Sequence, residues 1–177
     1  DVATDSSGNV YLLDREAAHV AVFNSDGLFI FDIGENFVWG DTNYTFVNPQ
    51  GLVVDNNGFI YVSDSGNCRI QVYSSNGSYI TTIGETGVCA SDNGHFSATL
   101  RHLDIYNNQL FVADAENHRI QIFDISDPQL NISYVSTLGV TGVSGDDVAH
   151  FNWPTGVAVD SNHLYVADMH NQRVQIF

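Results

Sequence analysis

The sequence predicts an all-β protein assembled from a repeated four-strand unit. Three observations carry this. A segment of about twenty residues recurs along the 177-residue chain. Strand formers (Val, Ile, Tyr, Phe) dominate the stretches between turns and alternate with polar residues. Nowhere do apolar residues fall at helical spacing. The repeat is plainest in residues 55–73, DNNGFIYVSDSGNCRIQVY, against residues 105–123, IYNNQLFVADAENHRIQIF, 50 positions later. Residues 160–177, DSNHLYVADMHNQRVQIF, match with one residue fewer in the first turn. Residues 5–23, DSSGNVYLLDREAAHVAVF, match more loosely. Asp14, Asp64, Asp114 and Asp168 anchor the pattern.

Each unit reads as four short strands. The first is apolar, at residues 2–4, 52–54, 103–105 and 157–159. A turn rich in Asp, Asn, Ser and Gly follows, residue types that tolerate the positive φ of a tight hairpin. The second strand lies at 10–13, 60–63, 110–113 and 164–167. The third, at 20–23, 70–73, 120–123 and 174–177, alternates apolar and polar as a half-buried strand does. The fourth, at 28–33, 78–83 and 134–138, ends in Gly34, Gly84 or Gly139. Tandem units of 40–50 residues with four strands each predict a β-propeller, one unit per blade. A lone blade is apolar on both faces, so blades must stack around an axis. The expected blades are residues 1–50, 51–100, 101–155 and 156–177, the last ending after its third strand, in one partial propeller domain.

Asn117-His-Arg-Ile-Gln-Ile122, Asn67-Cys-Arg-Ile-Gln-Val72 and Asn171-Gln-Arg-Val-Gln-Ile176 resemble the core of NHL repeats. So do Pro154-Thr-Gly-Val-Ala-Val-Asp160 and Tyr165-Val-Ala-Asp168, and the linking segments Phe46-Val-Asn-Pro49 and Phe151-Asn-Trp-Pro154. Unit one departs, with Ala17 and His19 in place of Asn and Arg. The resemblance implies a propeller, most often six-bladed. At this period six blades need about 300 residues. The expectation is therefore a segment of a longer, processed chain, which opens on Asp1 without Met, or a ring completed by a neighbouring copy.

Residues that return in every unit are expected to hold blades together. They are Asp64, Asn67 and Arg69, then Asp114, Asn117 and Arg119, then Asp168, Asn171 and Arg173. An Arg pairs bidentately with a carboxylate and ties loops together. Phe46, Phe96 and Phe151 read as plugs under the linking loops.

Function is expected where units differ. His102 and Asp104 share a strand face and stand where the 50-residue spacing puts Leu52 and Val54 in unit two. They are candidates to face the central channel or lie between blades. Lyases that resemble the family carry a zinc-binding His before the first strand of several blades; the matching positions here are Gln50, Leu100 and Thr155. No cofactor or metal is expected. No nucleophile–His–acid set, phosphate-binding Gly loop or paired-carboxylate motif is present, and the Asp-rich turns lack the trailing Glu of an EF-hand loop. Cys68 and Cys89 occur in unit two only and are expected to pair as a disulfide, which places the chain in an oxidising compartment. Asn43, Asn76 and Asn131 head glycosylation sequons in predicted loops, at the number that composition alone would produce. Phe37, Trp39 and Tyr44 crowd the first linking loop. They either fold back as core plugs or anchor an interface.

Charge narrows the partners. The chain has 21 acidic side chains against 5 basic ones, all Arg, for a net −16. Nucleic acid needs cations this chain lacks, and no apolar run approaches the roughly 20 residues that span a bilayer. RNA binding, known in some NHL proteins, would need a basic face. The reading is an extracellular, non-catalytic scaffold or interaction module whose partners are other proteins or copies of itself. The alternatives are a structural subunit of a surface assembly, and a metal-dependent lyase or lactonase.

Overall fold

The structure, a computed structural model, describes residues 1–177 as four antiparallel sheets. Blade 1 pairs β1 (Val2–Thr4), β2 (Val10–Asp14), β3 (His19–Phe23) and β4 (Phe29–Ile33) in that order. Blade 2 pairs β5 (Pro49–Val54), β6 (Ile60–Asp64), β7 (Arg69–Tyr73) and β8 (Tyr79–Gly84). Blade 3 pairs β9 (Leu100–Tyr106), β10 (Gln109–Asp114), β11 (Arg119–Asp127) and β12 (Asn131–Leu138). Blade 4 has three strands, β13 (Pro154–Val159), β14 (Leu164–Asp168) and β15 (Arg173–Ile176). This is a β-propeller arc of three and three-quarter blades. Asn131 is a correction: it opens β12 opposite Asp127 rather than lying in a loop, because the β11–β12 arm is longer than its counterparts.

The period of two along each strand builds the core. In β6, Ile60 and Val62 turn toward blade 1 and meet Tyr11, Leu13, Val20 and Val22. Tyr61, between them, turns the other way and meets Leu103, Leu110 and Val112 of blade 3. Phe111, Ala113 and Ile120 repeat this against Val157, Leu164 and Val166 of blade 4. These three clusters join blades 1 to 2, 2 to 3 and 3 to 4, and no cluster joins 4 to 1. Val2 and Leu12 are accordingly exposed on the outer face of blade 1, and Val174 and Ile176 on that of blade 4.

Phe46, Phe96 and Phe151 are buried, each against the glycine that ends a fourth strand. Gly34, Gly84 and Gly139 all have φ between 88° and 95°. A Cβ there would come within 3.1, 3.1 and 2.7 Å of the respective rings. Glycine is needed for the turn and for the ring's approach alike.

Pairing also corrects a register. Leu52 pairs with Val62, and Leu103 pairs with Val112, so Leu103 is the counterpart of Leu52. The link after Phe96 is one residue longer than the other two, and the Asn107–Asn108 hairpin is one shorter than the turn at Asp55. The two changes cancel in the repeat spacing. His102 therefore matches Gly51 and Gly156, and Asp104 matches Val53 and Ala158, each one residue before the counterparts Leu52 and Val54 that spacing suggested.

Candidate functional site

The linking loops and the connections between second and third strands share one face. Three identical clamps organise it. In blade 2, Asp64 Oδ2 accepts Arg69 Nε and Asn67 Nδ2, both at 2.8 Å, and Oδ1 accepts the N–H of Val47, next to the plug Phe46. The rest of the Arg69 guanidinium donates to the carbonyls of Asp41, Thr42 and Thr45. Arg119, paired with Asp114, does the same to Ser91, Asp92 and His95. Arg173, paired with Asp168, grips Asp146, Asp147 and His150. Asn117 and Asn171 hold their aspartates as Asn67 does. Each clamp thus fastens the loop that enters its own blade. Sequence reasoning missed a further member. Gln71, Gln121 and Gln175, two residues after each Arg, donate to the carbonyls of Thr45, His95 and His150. Their recurrence in the quoted hexapeptides was the available signal.

Burial pushes the Asp64 carboxyl up despite its donors. Burial acts the same way on Asp168. In the more open blade 4, however, hydrogen bonds from Asn152 N, Asn171, Arg173 and Gln175 outweigh it and hold that carboxyl below its ordinary range.

The first linking loop differs from the others. Trp39 bridges to Phe46 as Cys89 bridges to Phe96, so Trp39 occupies the place of a disulfide cysteine. The N–H groups of Phe37, Gly87 and Gly142 donate to the carbonyls of Ala17, Asn67 and Asn117, with φ of 60°, 76° and 73°. Phe37 therefore stands in left-handed backbone where the other loops have glycine. Phe37, Trp39 and Tyr44 are 68%, 61% and 51% exposed, and Val38 is exposed between them. They do not fold back as plugs, because Phe46 already fills the space beneath the loop. The Tyr44 ring is steadied by the N–H of Tyr79, which donates to its hydroxyl at 3.3 Å.

Cys68 and Cys89 form a disulfide with Cα atoms 5.2 Å apart, stapling the entry of β7 to the second linking loop. His102 and Asp104 bridge inner strands. His102 Nδ1 meets the Val157 carbonyl at 3.0 Å, and Asp104 Oδ2 accepts the N–H of Val159 at 2.7 Å. No second histidine joins them, and the nearest carboxylate to His102 Nε2 is Asp1, at 4.0 Å.

The family profile described as NHL repeat matches residues 46–73, 104–123 and 151–177, the stretches that carry the three clamps. The chain carries three NHL repeats. No curated protein matches it in sequence. In fold it is similar to a structural genomics protein of unknown function from Bacteroides thetaiotaomicron, at 18% identity and TM-score 0.75, covering 99% of this chain and 46% of that one. It is also similar to an auxiliary nutrient binding protein from the same organism, at 18% identity and TM-score 0.68, covering 97% and 45%. A chain in a nidogen/laminin complex matches at 20% identity and TM-score 0.64, covering 99% and 57%. The NHL chain thus spans about half the length of these structures, and likeness at such identities shows the fold.

Within this NHL chain, Asn43 lies in the aromatic loop, Asn76 in the β7–β8 hairpin and Asn131 at the start of β12, all exposed. The residues before the inner strands, read from sequence as Gln50, Leu100 and Thr155, become Gln50, Arg101 and Thr155 once pairing replaces spacing. Leu100 is buried in the blade 2–3 core instead. No helix is long and apolar enough to cross a membrane.

Proposed function

We propose that this chain is a non-catalytic, extracellular protein-interaction module that docks partners on its linking-loop face, with Phe37, Trp39 and Tyr44 as anchors. The observation that carries the reading is Phe37, a large apolar side chain held outward in a backbone conformation where the equivalent residues are glycine. Strained, exposed aromatics concentrate at binding sites. The NHL propeller and its fold neighbours, one of them in a nidogen/laminin complex, support a role in protein interaction. The disulfide and three exposed sequons support the extracellular setting. The test is affinity capture from extracellular-matrix extract on immobilised wild type and on a Phe37→Ser/Trp39→Ser variant of matching circular dichroism. Proteins retained by the wild type and lost by the variant are expected. Identical retention by both would sink the proposal.

A second reading, self-assembly into a surface structure, is favoured by the uncovered apolar faces of blades 1 and 4. Wild type and the loop variant would then associate equally with themselves.

A further inference from the structure

Five arginines are the chain's only permanently cationic side chains, and three are consumed by the clamps. The remaining two, Arg15 and Arg101, meet no carboxylate. They sit at the ends of one amide relay. Arg15 Nε and Gln50 Nε2 both donate to Asn48 Oδ1 at 2.8 Å, and Arg101 Nη1 donates to Gln50 Oε1 at 3.2 Å. That last contact is the only hydrogen bond of the Arg101 side chain, although a guanidinium has five N–H donors. Its Nε is shut away from solvent with no partner.

Arg101 lines a cavity of about 360 Å³ together with Asp1, Gln50, His102, Thr155 and Met169. All four blades contribute, because the starts of their inner strands converge at the channel mouth. The two oxygens of Asp1, the one carboxylate in the lining, are held by the N–H groups of Val2 and Leu52. The Thr155 hydroxyl has no protein partner. His102 meets the Val157 carbonyl through Nδ1, which leaves Nε2 on the cavity side. A chain of net −16 repels anions at long range, so an anion site must be built locally from poorly hydrated donors.

The geometry points to a binding site for a small oxyanion, a carboxylate or a phosphate, at this channel mouth. The Nη hydrogens of Arg101 that Gln50 leaves free donate to its oxygens, and the Thr155 hydroxyl donates to it as well. The volume suits a small molecule. The site stands apart from docking on the aromatic loop and survives if that docking fails.

Titrations of the labelled 177-residue chain with inorganic phosphate and, separately, with acetate test this, each at constant ionic strength against chloride. Saturable shifts of the Gln50, Arg101, Thr155 and Gly156 amides are expected with at least one anion, and the stronger of the two names the ligand class. Arg101→Gln should weaken binding by about tenfold or more. Should that variant fail to fold, Thr155→Val replaces it, with an expected loss of about threefold from one missing hydrogen bond. Shifts that never saturate for either anion, or binding that the folded variant leaves unchanged, would overturn the inference.

Discussion

Arg119 is fully buried, and its guanidinium donates to Asp114, to three loop carbonyls and to the Thr141 hydroxyl. Arg119→Leu strands the Asp114 carboxylate and three carbonyls, and should cost about 3–5 kcal/mol in urea unfolding. Arg173→Leu should cost less, because that side chain is 29% exposed and water can replace part of what it does. Tyrosines give a pH signature. Burial, then the hydrogen bond to Asp5, pushes the Tyr11 phenol up to about 12, and burial raises Tyr61 and Tyr73 as well. An unfolded tyrosine ionises near 10. Between about pH 10 and 12 the folded state therefore binds more protons than the unfolded one. The stability contributed by neutral phenols is complete below pH 10 and falls as pH rises through that window. Thermal midpoints should drop across it, and less steeply in Tyr11→Phe; a flat profile would contradict the assignment. At this scale recurrence made Asp, Asn and Arg legible. Gln71, Gln121 and Gln175 recur just as regularly but passed for the polar half of a strand alternation.

The aromatic loop sets stability against binding. Phe37→Gly adopts the backbone that Gly87 and Gly142 already use, and should stabilise the chain by about 1 kcal/mol in urea melts while removing an anchor. Loss of stability in that variant would show that Phe37 is structural. Gly139→Ala, whose Cβ would lie 2.6 Å from the His118 carbonyl and 2.7 Å from Phe151, should cost about 3 kcal/mol. Gly142→Ala, with nothing within 4 Å of its Cβ, should cost about 1 kcal/mol from φ alone. Reducing the Cys68–Cys89 bond frees a loop of 21 residues and should lower stability by about 3 kcal/mol. Element identity was legible because each strand is bounded by turn chemistry. Register in blade 3 was not. Spacing counts residues, whereas pairing depends on where an insertion falls, and here a longer link offsets a shorter hairpin. Nor was the exposure of Phe37 and Trp39 legible, since it depends on Phe46 having already filled the space below.

For the whole molecule, blade number and blade order follow from recurrence, but uncovered surface does not, because these strands carry apolar residues on both faces. Val2 and Leu12 at one end and Val174 and Ile176 at the other stand in water. Sedimentation of the 177-residue chain should show association that grows with concentration and is reduced by Leu12→Glu with Val174→Glu. A strictly monomeric species at all concentrations would contradict this. The clamps carry a consequence for how such a chain comes into being. Arg69 lies 24–28 residues downstream of the carbonyls it grips, and Arg119 and Arg173 keep nearly the same interval. On a ribosome, a linking loop emerges before the residue that fastens it, and stays loose until the next blade has been made. Synthesis thus proceeds as a zipper with a fixed lag, each newborn blade locking the joint behind it. A stall or truncation before an arginine leaves the preceding joint open to proteases, even though the blade before that joint is already complete.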